Sequence, residues 1–130
     1  MNLILSLKPQ FAQLILDCSK RYEYRKSIPQ RHDIQKVYIY ATKPICRIVG
    51  EFTLDGIITD TPQKVWASTA RHGGITKKYF NDYFNGKDKA YALKVGKVIK
   101  YNEPINPKEV FTDFTPPQNF MYTDKNMSLK

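Results

Sequence analysis

The sequence predicts an α+β fold with a mixed sheet, on three observations. Several segments alternate apolar and polar residues with a period of two, as strands do. Two helical segments sit together in mid-chain instead of following each strand, which argues against a regularly wound parallel sheet. Gly50 and Gly56 fall inside the longest strand-like run, where a sheet can bend or bulge. Periodicity alone leaves open whether that sheet closes.

In chain order, residues 2–6 read as a short buried strand. Pro9 has a fixed φ and no backbone donor, so it suits a first helical turn, and Phe11, Leu14, Ile15 and Cys18 recur at helical spacing over 9–18. At Cys18-Ser19-Lys20 the pattern breaks. From residue 20 to 26 the period is two: Tyr22 and Tyr24 point one way, Arg21, Glu23 and Arg25 the other. Ser27 to Asp33 is a polar connection, and 35–41 is rich in β-branched and aromatic residues, as a central strand is. Thr42-Lys43-Pro44 makes a turn into a long strand over 45–58.

Thr61-Pro62 opens a second helix, with Thr59, Asp60 or Thr61 as its N-cap, that places Val65, Trp66 and Thr69 toward the core and ends at His72-Gly73-Gly74. Thr76 caps a third helix. Its stripe of Tyr79, Phe80, Tyr83 and Phe84 reads as packing against the sheet before it reads as a platform for bases. Asn85-Gly86 stops it. Residues 89–101 alternate as a last long strand, Pro104 and Pro107 mark a loop, 107–111 allow one helical turn, and 116–122 are extended. One domain over 1–123 is expected, with 124–130 too poor in apolar residues to dock and therefore frayed.

Composition narrows the class. At 130 residues and 42% apolar, the chain has enough to bury for a core without staples. Its two cysteines, Cys18 and Cys46, lack metal-type spacing and read as reduced thiols. His32 and His72 have no metal-type partners in sequence, so neither a metal nor a cofactor is expected. No run reaches the ~20 apolar residues of a membrane span, no targeting segment is visible, and a cytoplasmic location is expected. Net charge is +9, from 21 Lys and Arg against 12 Asp and Glu. With nine tyrosines and seven phenylalanines, that excess favours a polyanionic partner whose bases can stack on aromatic rings. Oligomeric state is left open.

Chemistry concentrates in residues 6–26, where a carboxylate, Glu23, stands between arginines on one strand face. Glu23 and Arg25 lie two apart and leave the same face, and Lys20 in the preceding turn can reach over it. A carboxylate among cations stays ionised and suits orienting a base edge or a water; a desolvated lysine can serve as base or nucleophile. The same trio can equally be a structural ion pair that pins the corner. Lys8 enters a helix N-terminus, where an anion is favoured. Tyr40, Thr42 and Lys43 close the central strand and can line the same cleft. Arg71, Lys77, Lys78, Lys87, Lys89, Lys94, Lys97 and Lys100 form either a solvated face or a phosphate-facing surface.

Ser6-x-Lys8-Pro9, an apolar helix, and Lys20-x-x-Glu23-x-Arg25 resemble the motif of the ASCH domain family, in the PUA-like superfamily. The family motif runs Gly-x-Lys-x-x-Glu-x-Arg, and Cys18 stands where it has glycine. Tyr40-Ala41-Thr42-x-Pro44, Val49-Gly50-Glu51-Phe52, Tyr91-Ala92-Leu93 and Pro116-Pro117-Gln118 extend the resemblance over roughly the whole chain. It implies a small, mixed, partly closed β-barrel with short helices around it. It also implies a cleft for RNA, nucleotides or modified bases, and a role in regulating transcription or translation. Ser6, Lys8, Lys20, Glu23, Arg25, Tyr40, Thr42 and Lys43 would then bind the ligand. The alternative is a small hydrolase, using Lys20 and Glu23, since some relatives of the fold cut RNA and others hydrolyse an acetylated cytidine. The latter use Lys-x-x-Thr, and here Glu23 stands in place of that threonine.

Overall fold

Alternate residues of the first strand enter different cores, and the rest of the fold follows from that division. The computed structural model describes residues 1–127. In β1 (Asn2–Leu7), Leu3, Leu5 and Leu7 join one apolar cluster while Ile4 joins another. In β3 (Lys36–Ala41), Val37, Ile39 and Ala41 join the first and Tyr38 and Tyr40 the second. Both strands are therefore buried on both faces, the condition under which a parallel pair is stable, and they are the parallel pair of the sheet. The other strands are β2 (Tyr22–Arg25), β4 (Arg47–Asp60), β5 (Ala90–Ile105) and β6 (Phe120–Thr123). The six strands run in the order β2-β5-β4-β3-β1-β6, every other neighbouring pair antiparallel.

The helices cover this sheet. Ala12 and Ile15 of α1 (Pro9–Leu16) pack on the first cluster. Val65 of α2 (Pro62–Thr69) and Phe80 of α3 (Lys77–Tyr83) join Tyr24, Phe84, Ala90 and Ala92 in a third. Thr76 caps α3 as expected, and of the three candidates for α2 it is Thr61 that does so; each accepts from the backbone, of Tyr79 and Lys64 respectively. A short α4 (Pro107–Val110) follows β5. Among the described residues, no helix is long and apolar enough to cross a membrane.

The sheet curls because β4 and β5 slip register at several points. At Gly50 a Cβ would stand 2.6 Å from the Ile99 carbonyl oxygen and 2.5 Å from the Leu16 side chain, so only glycine lets β5 come this close. Pro104, expected in a loop, lies inside β5. Ile48 pairs with Ile105 and Gly50 with Lys100, so the residues between form a bulge where proline's missing donor is not needed. The curl leaves two edges. Arg25 on β2 spans them, donating from Nη2 to the Ser6 carbonyl of β1 (2.8 Å) and from Nη1 to Asn119 Oδ1 ahead of β6 (2.8 Å). The result is a half-barrel whose gap is bridged by a side chain instead of a backbone ladder.

Several boundaries differ from the sequence reading. The first helix stops at Leu16, not Cys18. There the Ser19 amide bonds the Leu14 carbonyl and the Cys18 amide that of Ile15, a pattern that needs a left-handed residue; Cys18 supplies it at φ 67°. Arg21 turns off the Glu23 face and donates to the Val95 carbonyl. Met127, expected to fray, is 3% exposed in the second cluster, and its amide donates to Tyr38 Oη. Residues 128–130 lie outside the described residues.

Candidate functional site

Lys20 is where the corner's chemistry gathers. Its side chain is 1% exposed, although lysine is almost never fully buried without partners. Three surroundings account for it. Nζ donates to the Gly73 carbonyl. Glu23 Oε1 lies 3.7 Å away. The Tyr24 ring centroid lies 4.9 Å from Nζ and the Phe11 centroid 5.6 Å, within reach of cation–π attraction. Burial pushes the Lys20 ammonium below its ordinary value of 10.5, Glu23 opposes the shift, and Arg25 adds to it.

Glu23 is 6% exposed and sits between Lys20 and Arg25, whose Nε is 3.1 Å from Oε2. That contact is an ion pair without hydrogen-bond alignment; among the described residues, Arg25 Nε makes no hydrogen bond. Arg25 therefore serves twice: its Nη atoms tie the sheet edges and its Nε side neutralises Glu23. The trio thus forms the ion-paired corner of the structural reading.

The trio faces a cavity of about 480 Å³, within the range of small-ligand sites. Ser6, Lys8 and Thr42 line it with them, as expected. Lys8 is exposed at the start of α1. Ser6 uses its hydroxyl to donate to the Pro117 carbonyl (2.7 Å), which holds the 116–118 segment as one wall. The aromatic stripe of α3 divides. Phe80 and Phe84 enter the core, while Tyr79 and Tyr83 face the cavity opposite Phe11, with Phe11 and Tyr79 edge to face at 5.5 Å. The four-residue stripe thus supplies both core packing and one wall of the cavity.

Tyr40 and Lys43 do not line this cleft. They line a neighbouring cavity, and Tyr40 is buried against Phe114 at 5.4 Å between centroids. None of the eight outlying cations lines the cleft either; Lys94 and Lys100 line separate depressions. Sequence reasoning missed Gly73 and Gly74 as more than a helix stop. A Cβ on Gly73 would meet Tyr24 Oη at 2.2 Å, and one on Gly74 the Lys20 side chain at 3.0 Å. Two adjacent glycines let this turn lie flat on the lysine, with the Arg21 amide clamped to the His72 carbonyl at 2.7 Å. No group of His, Cys, Asp and Glu among the described residues could hold a metal ion.

The family model of the ASCH domain matches residues 5–104, and so includes the whole Lys20–Arg25 corner. The chain belongs to the ASCH domain family. An ASCH domain-containing ribonuclease of Zymomonas mobilis is 29% identical over 133 residues, covering 98% of this chain and 87% of that protein. The crystal structure of ASCH from Zymomonas mobilis aligns with a TM-score of 0.89 at 29% identity, covering 95% of this chain and 88% of that one. Large ribosomal subunit protein uL22 of Ureaplasma parvum is 31% identical over 122 residues, covering 93% of this chain and 39% of that protein. The partly closed barrel that the ASCH resemblance implied is the fold observed.

Proposed function

We propose that this ASCH domain binds RNA or a nucleotide in the cleft between α1, α3 and the half-barrel. The supporting observation is a buried Glu23 held by Lys20 and Arg25 on the floor of an aromatic-walled cavity. Glu23 accepts from the Watson–Crick edge of an unpaired base, Tyr79 and Tyr83 offer faces for stacking, and Lys8 meets phosphate at the rim. Binding without turnover is the form that a regulatory role in transcription or translation would take. The test is a titration of labelled single-stranded RNA at low and high salt with wild type and Lys8→Ala/Tyr79→Ala, both exposed positions. The double variant is expected to bind about tenfold or more weakly, since each stacked base contributes about 1–3 kcal/mol. Unchanged affinity in the variant, or affinity indifferent to salt, rejects the reading.

A second reading, RNA cleavage, is favoured by Lys20, the buried lysine shifted toward neutrality, and by the relative named a ribonuclease. Neutral Nζ takes the proton of a ribose 2′-hydroxyl, that oxygen bonds the adjacent phosphorus, and the bond from phosphorus to the 5′ oxygen breaks. The proton is returned to the leaving 5′ oxygen. A strand with one 2′-deoxy position must then resist cutting at that position alone, and Lys20→Met must be inactive while folded. Cutting that ignores either change rejects it.

A further inference from the structure

Tyr40 and Lys43 have no place in the first cleft, yet the cavity they do line is built much like it. It measures about 590 Å³ and joins three separate stretches: the end of β3 with the turn after it, the start of α4, and residues 114–116. Three cations line it, Lys43, Arg47 and Lys108, and all are exposed. No aspartate or glutamate lines it. Arg47 uses one Nη to hold the Cys46 carbonyl at 3.0 Å, which fixes the guanidinium at the rim with further donors to spare. Aromatic surface comes from Tyr40 and half-buried Phe114. Thr42 and Pro116 line both cavities and are therefore the ridge between them.

We infer that this second cavity is a further nucleotide subsite, and that the ligand is a single-stranded RNA of at least two nucleotides crossing the Thr42–Pro116 ridge. The inference rests on the RNA reading of the first cleft and names its substrate class. Two features select this occupant. The cation set without a carboxylate complements a phosphate, and the shared ridge makes the cavity continuous with a site that already suits a base. The first cleft has an acid for a base edge; the second has cations and aromatic surface but no acid. Sequence specificity therefore belongs to the first and backbone capture to the second.

The experiment measures binding of a fluorescent mononucleotide, dinucleotide and longer single strand to the full chain, wild type and Lys43→Ala/Arg47→Ala/Lys108→Ala. A control variant, Lys64→Ala/Lys87→Ala/Lys89→Ala, removes equal charge from exposed positions outside both cavities. Wild type is expected to bind the dinucleotide about tenfold or more tightly than the mononucleotide, because the second contact is intramolecular. The subsite variant should lose that step and keep mononucleotide affinity. Its salt slope on the longer strand should fall by about 2, from three cations at about 0.7 each, and the control should keep the step. A length step that survives in the subsite variant, or is lost equally in the control, overturns the second subsite and leaves the first cleft standing. Failure of wild type to bind any of the three probes overturns the RNA reading itself, and the subsite with it.

Discussion

Glu23 on β2 and Glu51 on β4 are both buried carboxylates, each with a lysine at similar range: 3.7 Å to Lys20 and 3.5 Å to Lys36. Their surroundings differ. Glu51 also accepts from Tyr101 Oη at 2.6 Å, and Lys36 keeps 29% of its side chain in water. Residues 125–127 pack beside it through Asn2 and Tyr38, and it lines neither cavity. Glu23 has a buried Lys20 and a half-buried Arg25 beside it, and an open cavity in front. The first arrangement satisfies a carboxylate and seals it. The second neutralises a carboxylate and leaves it facing a space that a ligand can fill. Burial and ion pairing alone do not mark a site; what stands in front of the pair does.

The comparison breaks hardest at the acids themselves. Glu23→Ala strands the buried Lys20 ammonium and is expected to cost about 3–5 kcal/mol in urea unfolding. Glu51→Ala should cost less, about 1–3 kcal/mol, because Lys36 can turn to water and mainly the Tyr101 hydroxyl loses its partner. Equal losses would show that Lys20 is no more stranded without its acid than Lys36. Gly73→Ala tests the lid over Lys20. Its Cβ must displace the Tyr24 hydroxyl from Thr69, where the two oxygens are 2.7 Å apart, and about 1–3 kcal/mol of overpacking is expected.

Alkaline titration separates the corners by sign. Lys20 is held below 10.5 in the fold, so between its folded value and 10.5 the unfolded chain binds the extra proton, and stability rises with pH across that window. Tyr101 is held above 10.0 by burial and by Glu51, so the unfolded chain releases its proton first, and stability is lost as pH climbs past 10.0. Lys20→Met should remove the rise. Tyr101→Phe should lessen the fall without abolishing it, since burial shifts Tyr24, Tyr40 and Tyr83 the same way. A stability curve whose rise below pH 10.5 is unchanged by Lys20→Met contradicts the burial argument. The smallest effect is at the turn. Cys18→Gly relieves a left-handed residue at about 1–2 kcal/mol but adds backbone freedom of about 0.5–1 kcal/mol to the unfolded chain, for a gain near 0.5 kcal/mol.

The helix caps at Thr61 and Thr76, the bend at Gly50, and the strand faces of Glu23 and Arg25 were all legible in the chain, because each depends on neighbours a few residues away. Lys20, Glu23 and Arg25 could be placed on one corner for the same reason. Arg21 could not. Alternation put it on the face of Glu23, but it lies ahead of β2, where the chain still turns and the alternation does not yet hold. Tyr40 and Lys43 were assigned to the wrong cavity because the chain order of a strand end does not say which side of a ridge it faces.

Local spacing and residue chemistry in this sequence determine which side chains leave the same face, where helices begin, and that a carboxylate has cations beside it in a basic chain rich in aromatic residues. Only the tertiary structure decided what stands opposite those faces. Arg25 meets Ser6 and Asn119 because a curled sheet brings its edges together, and Tyr79 comes over the Lys20 corner because α3 packs across β2 from more than fifty residues away. Such contacts are set by the sum of small register slips along β4 and β5, a non-local quantity that no single stretch of sequence carries.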